Sequence, residues 1–124
     1  MKRDFDLIRK LLLQFEDKED SGVVEKPEVE GYSYEAVAYH CRLLNDAGFL
    51  RCEPIKSSTS DRVIRVLPFE LTWEGHEFLD KIKSESSWSK IKSYAKEKGL
   101  ALSFSVVTEI AKRLATQLLE GVSS

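Results

Sequence analysis

A helix-to-strand corner in residues 33–50, SYEAVAYHCRLLNDAGFL, limits the possible folds of this chain more than any other feature. Its apolar positions recur at spacings of four and three, which places them on one helical face: Val37, Cys41, Leu44 and Ala47. Gly48 follows at the position where a left-handed residue commonly ends a helix. Phe49 and Leu50 then begin a run that favours extended structure. The pattern predicts a helix that ends at Gly48 and leads directly into a strand.

Residues 49–67 predict a β-hairpin. Apolar and charged residues alternate on its first arm, and the return arm, residues 63–67, is rich in β-branched residues. The connection, KSSTSDR in residues 56–62, is polar and longer than a tight turn requires. A helix joined through a glycine to such a hairpin is typical of the third helix and wing of a winged helix-turn-helix. We therefore expect an α-rich α+β fold: a winged helix-turn-helix with a two- to three-stranded antiparallel wing sheet and a helical C-terminal extension.

The region before this corner departs from the usual helix-turn-helix pattern. Residues 4–17 predict an amphipathic helix, whose apolar stripe contains Phe5, Ile8, Leu12 and Phe15. Residues 16–22 read as a polar turn, and residues 23–32 as a short strand or extended loop interrupted by Pro27 and Gly31. Only about ten residues are left for the helix that normally precedes a recognition helix. That helix is expected to be short or missing.

Residues 71–82, LTWEGHEFLDKI, predict the helix that follows the hairpin. Thr72 is its expected N-cap, and its buried stripe is expected to contain Trp73, Phe78, Leu79 and Ile82. Gly75 lowers the helix propensity by about 1 kcal/mol relative to alanine, which indicates that another backbone packs closely there. We expect residues 1–83 to form the winged-helix domain and residues 84–124 to form the helical extension, as a single structural unit.

Two more helices are expected in the extension. The first covers residues 84–99, with Ser87 as its cap and Gly99 at its end, and its narrow apolar edge contains Trp88, Ile91 and Ala95. The second begins at Ser103 or Ser105. The last helix carries an apolar stripe that is a candidate dimer interface: Val107, Ile110, Leu114 and Leu118. A terminal helix of this kind either packs on its own core or pairs with its twin in a homodimer. The stripe alone is compatible with both.

Several function classes lack their sequence signals. No apolar run approaches the roughly 20 residues that span a bilayer, and the N-terminus does not resemble a signal peptide. Cys41 and Cys52 form no disulfide framework, so a reduced, cytoplasmic setting is expected. They are interpreted as small core residues, because no paired metal-ligand spacing is present. No phosphate-binding glycine loop or catalytic constellation is found, so neither an enzyme nor a cofactor is expected.

The polar residues of the central helix and hairpin are candidate DNA contacts. On the helix they are Ser33, Tyr39, Arg42 and Asn45. On the hairpin they are Arg51, Lys56, Ser58, Thr59, Arg62 and Arg65. Arg42 is suited to a bidentate contact with guanine, and the hairpin cations and hydroxyls to phosphate. The same residues would equally form an ordinary solvated face, because plain amphipathic helices have a similar composition.

The charge distribution gives the DNA hypothesis limited support. The net charge is −2 and the pI is about 5.8, whereas dedicated DNA-binding domains are usually basic. Residues 33–67 carry a net charge of +1, and residues 80–98 carry +3. The second window is the most basic in the chain, and it could contact a DNA backbone or simply be a solvated helix face.

The segment YHCRLLNDAGFL, residues 39–50, resembles the junction between recognition helix and wing in ArsR-type repressors. LTWEGHEFL, residues 71–79, resembles the helix after the wing in many winged-helix families. Together they resemble a family of small bacterial and phage proteins of unknown function, and that resemblance implies a winged helix over nearly the whole chain. Metal sensing is not implied, because the cysteine pairs of the metal-sensing repressors are absent.

Two functional hypotheses follow. The first is a sequence-specific regulator that binds double-stranded DNA as a homodimer and belongs, by the resemblance, to a phage or mobile element. The second is a winged helix that acts as a protein–protein interaction module, an adaptor or inhibitor without DNA binding. The mild charge and the missing second helix motivate the second hypothesis.

Overall fold

The computed structural model describes residues 1–123, which form an α+β fold. The described chain has five helices and one two-stranded antiparallel sheet: α1 Phe5–Glu16, α2 Tyr34–Asp46, β1 Leu50–Lys56, β2 Val63–Leu71, α3 Trp73–Ile82, α4 Glu85–Glu97 and α5 Phe104–Ser123. The chain divides into two compact units, Met1–Leu79 and Asp80–Ser124. None of the described helices is long and apolar enough to cross a membrane.

Helix α1 supplies much of the core of the first unit. Asp4 caps it by accepting hydrogen bonds from the backbone N–H groups of Asp6 at 2.9 Å and Leu7 at 3.2 Å. This satisfies two donors that the first turn leaves without helical partners. The apolar stripe predicted from the sequence is buried and packs toward α2 and β2, with these residues facing inward: Phe5, Leu7, Ile8, Leu11, Leu12 and Phe15.

The segment between α1 and α2 contains neither a helix nor a strand. The prediction that a helix before α2 would be short or missing is therefore confirmed, since that helix is missing. Instead the segment lies against β2, where the N–H of Val24 donates to the carbonyl of Pro68 at 2.8 Å. Lys18 donates its ammonium to the carbonyls of Gly22 and, at 3.1 Å, of Phe69. These bonds attach an otherwise irregular segment to the sheet.

The predicted corner between α2 and β1 is present. Ser33 caps α2 through its hydroxyl, which accepts from the N–H of Ala36 at 3.1 Å. At the other end Gly48 has φ +81°, and its N–H donates to the carbonyl of Asn45 at 3.1 Å. The N–H of Phe49 donates to the carbonyl of Leu44 at 2.9 Å. This pair of bonds is the Schellman motif, which requires a left-handed residue at the position of Gly48.

The hairpin is also present, although β2 is longer than predicted and continues to Leu71. Ser57 donates to the carbonyl of Arg62 at 2.8 Å and closes the tip. At the base of the hairpin Arg51 pairs with Glu70, whereas the next residue, Cys52, pairs with Pro68. Phe69 is therefore an extra residue on β2, a bulge that bends the strand. The carbonyl of Phe69 is the one that Lys18 satisfies.

Helix α3 packs directly against the corner. A Cβ added to Gly75 would lie 2.1 Å from the carbonyl oxygen of Phe49, so the close backbone approach predicted at this glycine is confirmed. The hydroxyl of Thr72 accepts from the N–H of Gly75 at 3.0 Å and donates to the carbonyl of Gly48 at 2.6 Å. The prediction that Trp73 is buried is wrong, because Trp73 is 73% exposed. It lies about two and a half helical turns before the buried Ile82 and therefore projects from the opposite side of α3.

The second unit contains helices α4 and α5, which pack on each other. Ser84, rather than the predicted Ser87, caps α4, because its hydroxyl accepts from the N–H of Ser87 at 3.0 Å. The buried residues of α4 are the predicted ones: Trp88, Ile91 and Ala95. Gly99 ends the helix with φ +67°, as expected. The hydroxyl of Ser103, one of the two predicted starts, accepts from the N–H of Val106 at 3.1 Å at the beginning of α5.

Candidate functional site

A concave surface lies between the outer face of α2 and the hairpin, and we call it the α2–hairpin cleft. It consists of two adjoining hollows of about 380 and 300 Å³. The larger is bounded by α2, by the segment around Glu25 and Pro27, and by residues 64–66 of β2. The hollows share three lining residues: Tyr39, Arg42 and Val66. The cleft thus places the predicted reading face of α2 beside the hairpin.

Arg42 and Arg65 bring two cations from different elements to this cleft. Arg42 projects from α2 and Arg65 from β2, and both line the larger hollow. The guanidinium of Arg42 lies 5.9 Å from the ring centroid of Tyr39, within the range of a cation–π contact. The contact limits the orientations of a flexible side chain. Arg42 is therefore partly preorganised toward whatever the cleft binds.

Tyr39 is held by a buried histidine. Its ring meets the ring of His40 edge-on, at a centroid distance of 5.6 Å. The Nε2 atom of His40 accepts from the backbone N–H of Asp4 at 2.8 Å, and Nδ1 lies 2.7 Å from the carbonyl of Ala36. These two partners require a neutral ring with its proton on Nδ1. His40 thereby connects α2 to the N-terminus of α1 and has no lone pair left for a metal.

Acidic residues also border the cleft. Glu25 and Glu35 line the larger hollow with the two arginines, and Asp46 lines the smaller. The first unit as a whole holds eleven Lys/Arg and sixteen Asp/Glu, a net charge of −5. A polyanion would therefore meet repulsion from the unit and attraction from only a few cations. The positions of individual side chains matter more here than the total charge.

The structure separates the predicted contact residues into two groups. Tyr39, Arg42, Asn45 and Arg65 line the cleft. Six predicted contacts do not line the cleft: Ser33, Arg51, Lys56, Ser58, Thr59 and Arg62. Some of them have structural partners instead. Ser33 caps α2, and Arg51 lies 3.7 Å from Glu70 in a half-exposed ion pair across the hairpin.

Some polar groups at the tip of the hairpin are already hydrogen-bonded to one another. The hydroxyls of Ser57 and Thr59 lie 3.1 Å apart, and the hydroxyl of Ser60 accepts from the N–H of Arg62 at 3.2 Å. These bonds order the loop, so the predicted hydroxyl contact of Thr59 would compete with a bond inside it. The cations of Lys56 and Arg62 are exposed at the base of the tip.

The cleft residues that the sequence reasoning missed include Glu25, Tyr34 and Ile64. Tyr34 and Ile64 are 41% and 48% exposed. Their sequence signal was weak, because Tyr34 is the first residue of a helix and Ile64 belongs to a run of β-branched residues. Only the packing of the hairpin beside α2 brings them together.

The four candidate dimer-interface residues on α5 differ in how exposed they are. Val107 and Ile110 are buried within one chain and present little side-chain surface to a second copy. Leu114 is half-buried. Leu118 is 70% exposed. Only the outer part of the predicted stripe is therefore available to a partner.

Cys41 is buried and lines the larger hollow of the cleft, whereas Cys52 is half-buried and lines neither hollow. Burial raises the pKa of the Cys41 thiol to about 12, with a smaller contribution from Cys52. Burial and then the carboxylate of Asp46 raise the pKa of Cys52 to about 12 as well. Both thiols are protonated at neutral pH and are poor nucleophiles. Among residues 1–123 no group of three His, Cys, Asp or Glu side chains could hold a metal ion.

Fold and cleft together define a small α+β protein with five described helices and a single β-hairpin. The chain belongs to the family described as "Hypothetical protein (DUF2513)", whose model matches residues 2–101. An uncharacterized protein of Haemophilus influenzae is 36% identical over 120 residues, which are 96% of this chain and 99% of that protein. No solved structure matches the chain. The predicted membership in a family of unknown function is confirmed, while the comparisons give no evidence for an ArsR-type recognition helix.

Proposed function

We propose that this protein is a winged-helix regulator that binds double-stranded DNA in a sequence-specific manner as a homodimer. In this proposal α2 enters the major groove, and the hairpin follows the neighbouring backbone or minor groove. The strand of sugar and phosphate that separates the two grooves then occupies the α2–hairpin cleft. Arg42 and Tyr39 face the base edges, and Arg65 faces phosphate.

The observation that carries the proposal is the convergence of Arg42 and Arg65 on one cleft. A recognition helix alone would need cations only on its own face, whereas a helix and wing that bind the same duplex need them on both. The corner at Gly48 holds the two elements together through backbone hydrogen bonds. The site is therefore built before the ligand arrives, which reduces the entropic cost of binding.

The test is a binding titration with a pool of random duplex DNA over a range of salt concentrations. Each phosphate contact adds about 0.9 to the slope of log K against log salt. Arg65→Ala should reduce the slope by about that amount, while Arg42→Ala should also weaken any sequence preference selected from the pool. Lys10→Ala, which removes an exposed cation of α1 outside the cleft, is the control and should change neither. Absence of duplex binding at low salt would refute the proposal.

A second candidate is a protein–protein interaction module, an adaptor or inhibitor that does not bind DNA. The net charge of −5 on the unit that holds the cleft favours it, as does the exposure of Trp73, since tryptophan is enriched among residues that dominate protein interfaces. The same titration separates the two functions. Trp73→Ala should leave duplex binding unchanged under the DNA proposal.

A further inference from the structure

The second unit has the opposite charge to the first. Residues 80–124 hold eight Lys/Arg and five Asp/Glu, a net charge of +3, against −5 for residues 1–79. Opposite charges on two units of one chain favour different partners for each. The DNA proposal concerns the first unit and leaves the basic second unit without a role.

A groove runs along the α4–α5 pair in this unit. It consists of two hollows of about 390 and 350 Å³ that share Tyr94, Ile110 and Arg113. We call it the α4–α5 groove. Its apolar lining comes from Leu100, Val106, Ile110 and Leu114. Leu100 is 45% exposed although it is a large apolar residue. This surface resembles the hydrophobic grooves that receive one face of an amphipathic helix.

The rim of the groove is mainly cationic. Among the described residues that line it, Lys98, Lys112 and Arg113 are cations and Glu109 is the sole acid. The ammonium of Lys98 lies 5.7 Å from the centroid of the Tyr94 ring, which holds it at the edge of the groove. All three cations are exposed. They can therefore meet the charges of a ligand without first being removed from an internal ion pair.

We propose that the α4–α5 groove binds an acidic amphipathic helix of a partner protein. The apolar lining would cover the apolar face of such a helix, and the three cations would pair with the carboxylates that flank this face. A nucleic-acid backbone fits less well, because it has no apolar face to cover Leu100 and Val106. A lysine-rich helix would meet repulsion at three positions. This inference is independent of the DNA proposal for the α2–hairpin cleft.

The test uses two synthetic helical peptides that share leucines at positions i, i+3, i+4 and i+7 and differ elsewhere, with glutamates in one and lysines in the other. Binding to the full chain is followed by backbone amide chemical shifts. The glutamate peptide should bind about tenfold more tightly than the lysine peptide, and the shifted resonances should belong to α4 and α5. Such a ratio is the size expected from three rim charges.

A charge reversal makes the test decisive. The triple variant Lys98→Glu, Lys112→Glu and Arg113→Glu should prefer the lysine peptide, because the apolar lining is unchanged while the rim is inverted. The control triple variant Lys2→Glu, Arg3→Glu and Lys10→Glu makes the same change in net charge on the first unit, and it should keep the preference for the glutamate peptide. All six positions are exposed, so both variants should retain the fold and its circular dichroism.

Three results would overturn the proposal. Equal binding of the two peptides would mean that the rim charges play no part. No binding of either peptide at millimolar concentration would mean that the groove does not receive helices. The third result is that duplex DNA displaces the glutamate peptide from the wild type but not from the triple variant at Lys98, Lys112 and Arg113. That result would mean that these cations bind nucleic acid. If instead the peptide result holds and duplex DNA does not bind at all, only the DNA proposal fails.

Discussion

Substitution of Gly75 by alanine is expected to destabilise the protein, although alanine is the better helix former. The added Cβ would lie 2.1 Å from the carbonyl oxygen of Phe49 and 3.0 Å from its carbonyl carbon. Both atoms belong to the backbone of the corner between α2 and β1, so no side-chain rotation can remove the clash. Either α3 or the corner must move. The bond from the N–H of Thr72 to the same carbonyl, 3.1 Å long, would then be strained or lost.

The magnitude follows from three opposing terms. Overpacking at such a site costs about 1–3 kcal/mol, and loss of one backbone hydrogen bond costs about 1 kcal/mol. The higher helix propensity of alanine returns about 1 kcal/mol. Gly75→Ala should therefore lower the free energy of unfolding by about 1–3 kcal/mol.

Urea denaturation followed by circular dichroism measures this change, and two other glycines provide controls. A Cβ at Gly22 would meet only the flexible side chain of Asp20, at 3.1 Å, so Gly22→Ala should stay within about 0.5 kcal/mol of the wild type. A Cβ at Gly48 meets nothing within 4 Å, but φ there is +81°, so its alanine variant should lose about 1–2 kcal/mol through backbone strain alone. A Gly75→Ala protein that is more stable than wild type would refute the close-approach argument.

Variants at three other positions test the remaining structural arguments. His40→Ala should cost about 2–3 kcal/mol, because it leaves the N–H of Asp4 without its acceptor and opens a cavity, whereas His40→Gln, which keeps an acceptor, should recover part of this in the same denaturation assay. Because the pKa of Cys41 is raised to about 12 in the folded state, this thiol contributes stability that is present below pH 9 and lost toward pH 12. The pKa of Cys52 is raised to about 12 as well, so each thiol should lower the free energy of unfolding by about 1.4 kcal/mol per pH unit in that window. Cys41→Ala should therefore remove about half of this fall in urea unfolding at several pH values. A slope equal to that of the wild type would contradict the raised pKa. Leu118→Asp should dissociate the proposed homodimer in sedimentation experiments. At protein concentrations where the wild type is monomeric it should leave the unfolding midpoint unchanged, since Leu118 is 70% exposed; a wild-type protein that is monomeric at every concentration would refute the dimer.

The parts of the fold that could be predicted are those set by local patterns. Gly48 and Gly99 follow the last residues of helical stripes, and both adopt the left-handed conformation that this position favours. Gly75 stood out because a glycine inside a helix needs a reason, and the backbone of Phe49 supplies it. Trp73 failed for an equally physical reason. It lies about two and a half helical turns before Ile82, so it projects from the side of α3 opposite the buried residues. Gly75, in the same first turn, lies on the packed side.

The cleft could not be predicted in the same way, because it depends on how elements distant in the sequence pack together. Arg42 and Arg65 are 23 positions apart, and nothing local to either indicates that both line one hollow. The positions of the acidic residues that border the cleft could not be predicted from the sequence either. Glu25 lies in an irregular segment, which the bonds from Val24 to Pro68 and from Lys18 to Phe69 hold beside β2.

The missing second helix raises the question of what orients α2. In an ordinary helix-turn-helix that helix packs across the recognition helix and sets its angle. In this protein α2 is held by one contact at its middle and one beyond its C-terminal end: the bond between His40 and the N–H of Asp4 at 2.8 Å ties it to α1, and the contact of Phe49 with Gly75 ties its C-terminal corner to α3. Both contacts involve backbone atoms, so they fix position more strictly than side-chain packing alone. His40→Ala and Gly75→Ala should therefore weaken the binding of any ligand to the α2–hairpin cleft. The slope of log K against log salt should not change, because the variants disturb the placement of Arg42 and Arg65 and leave their charges intact.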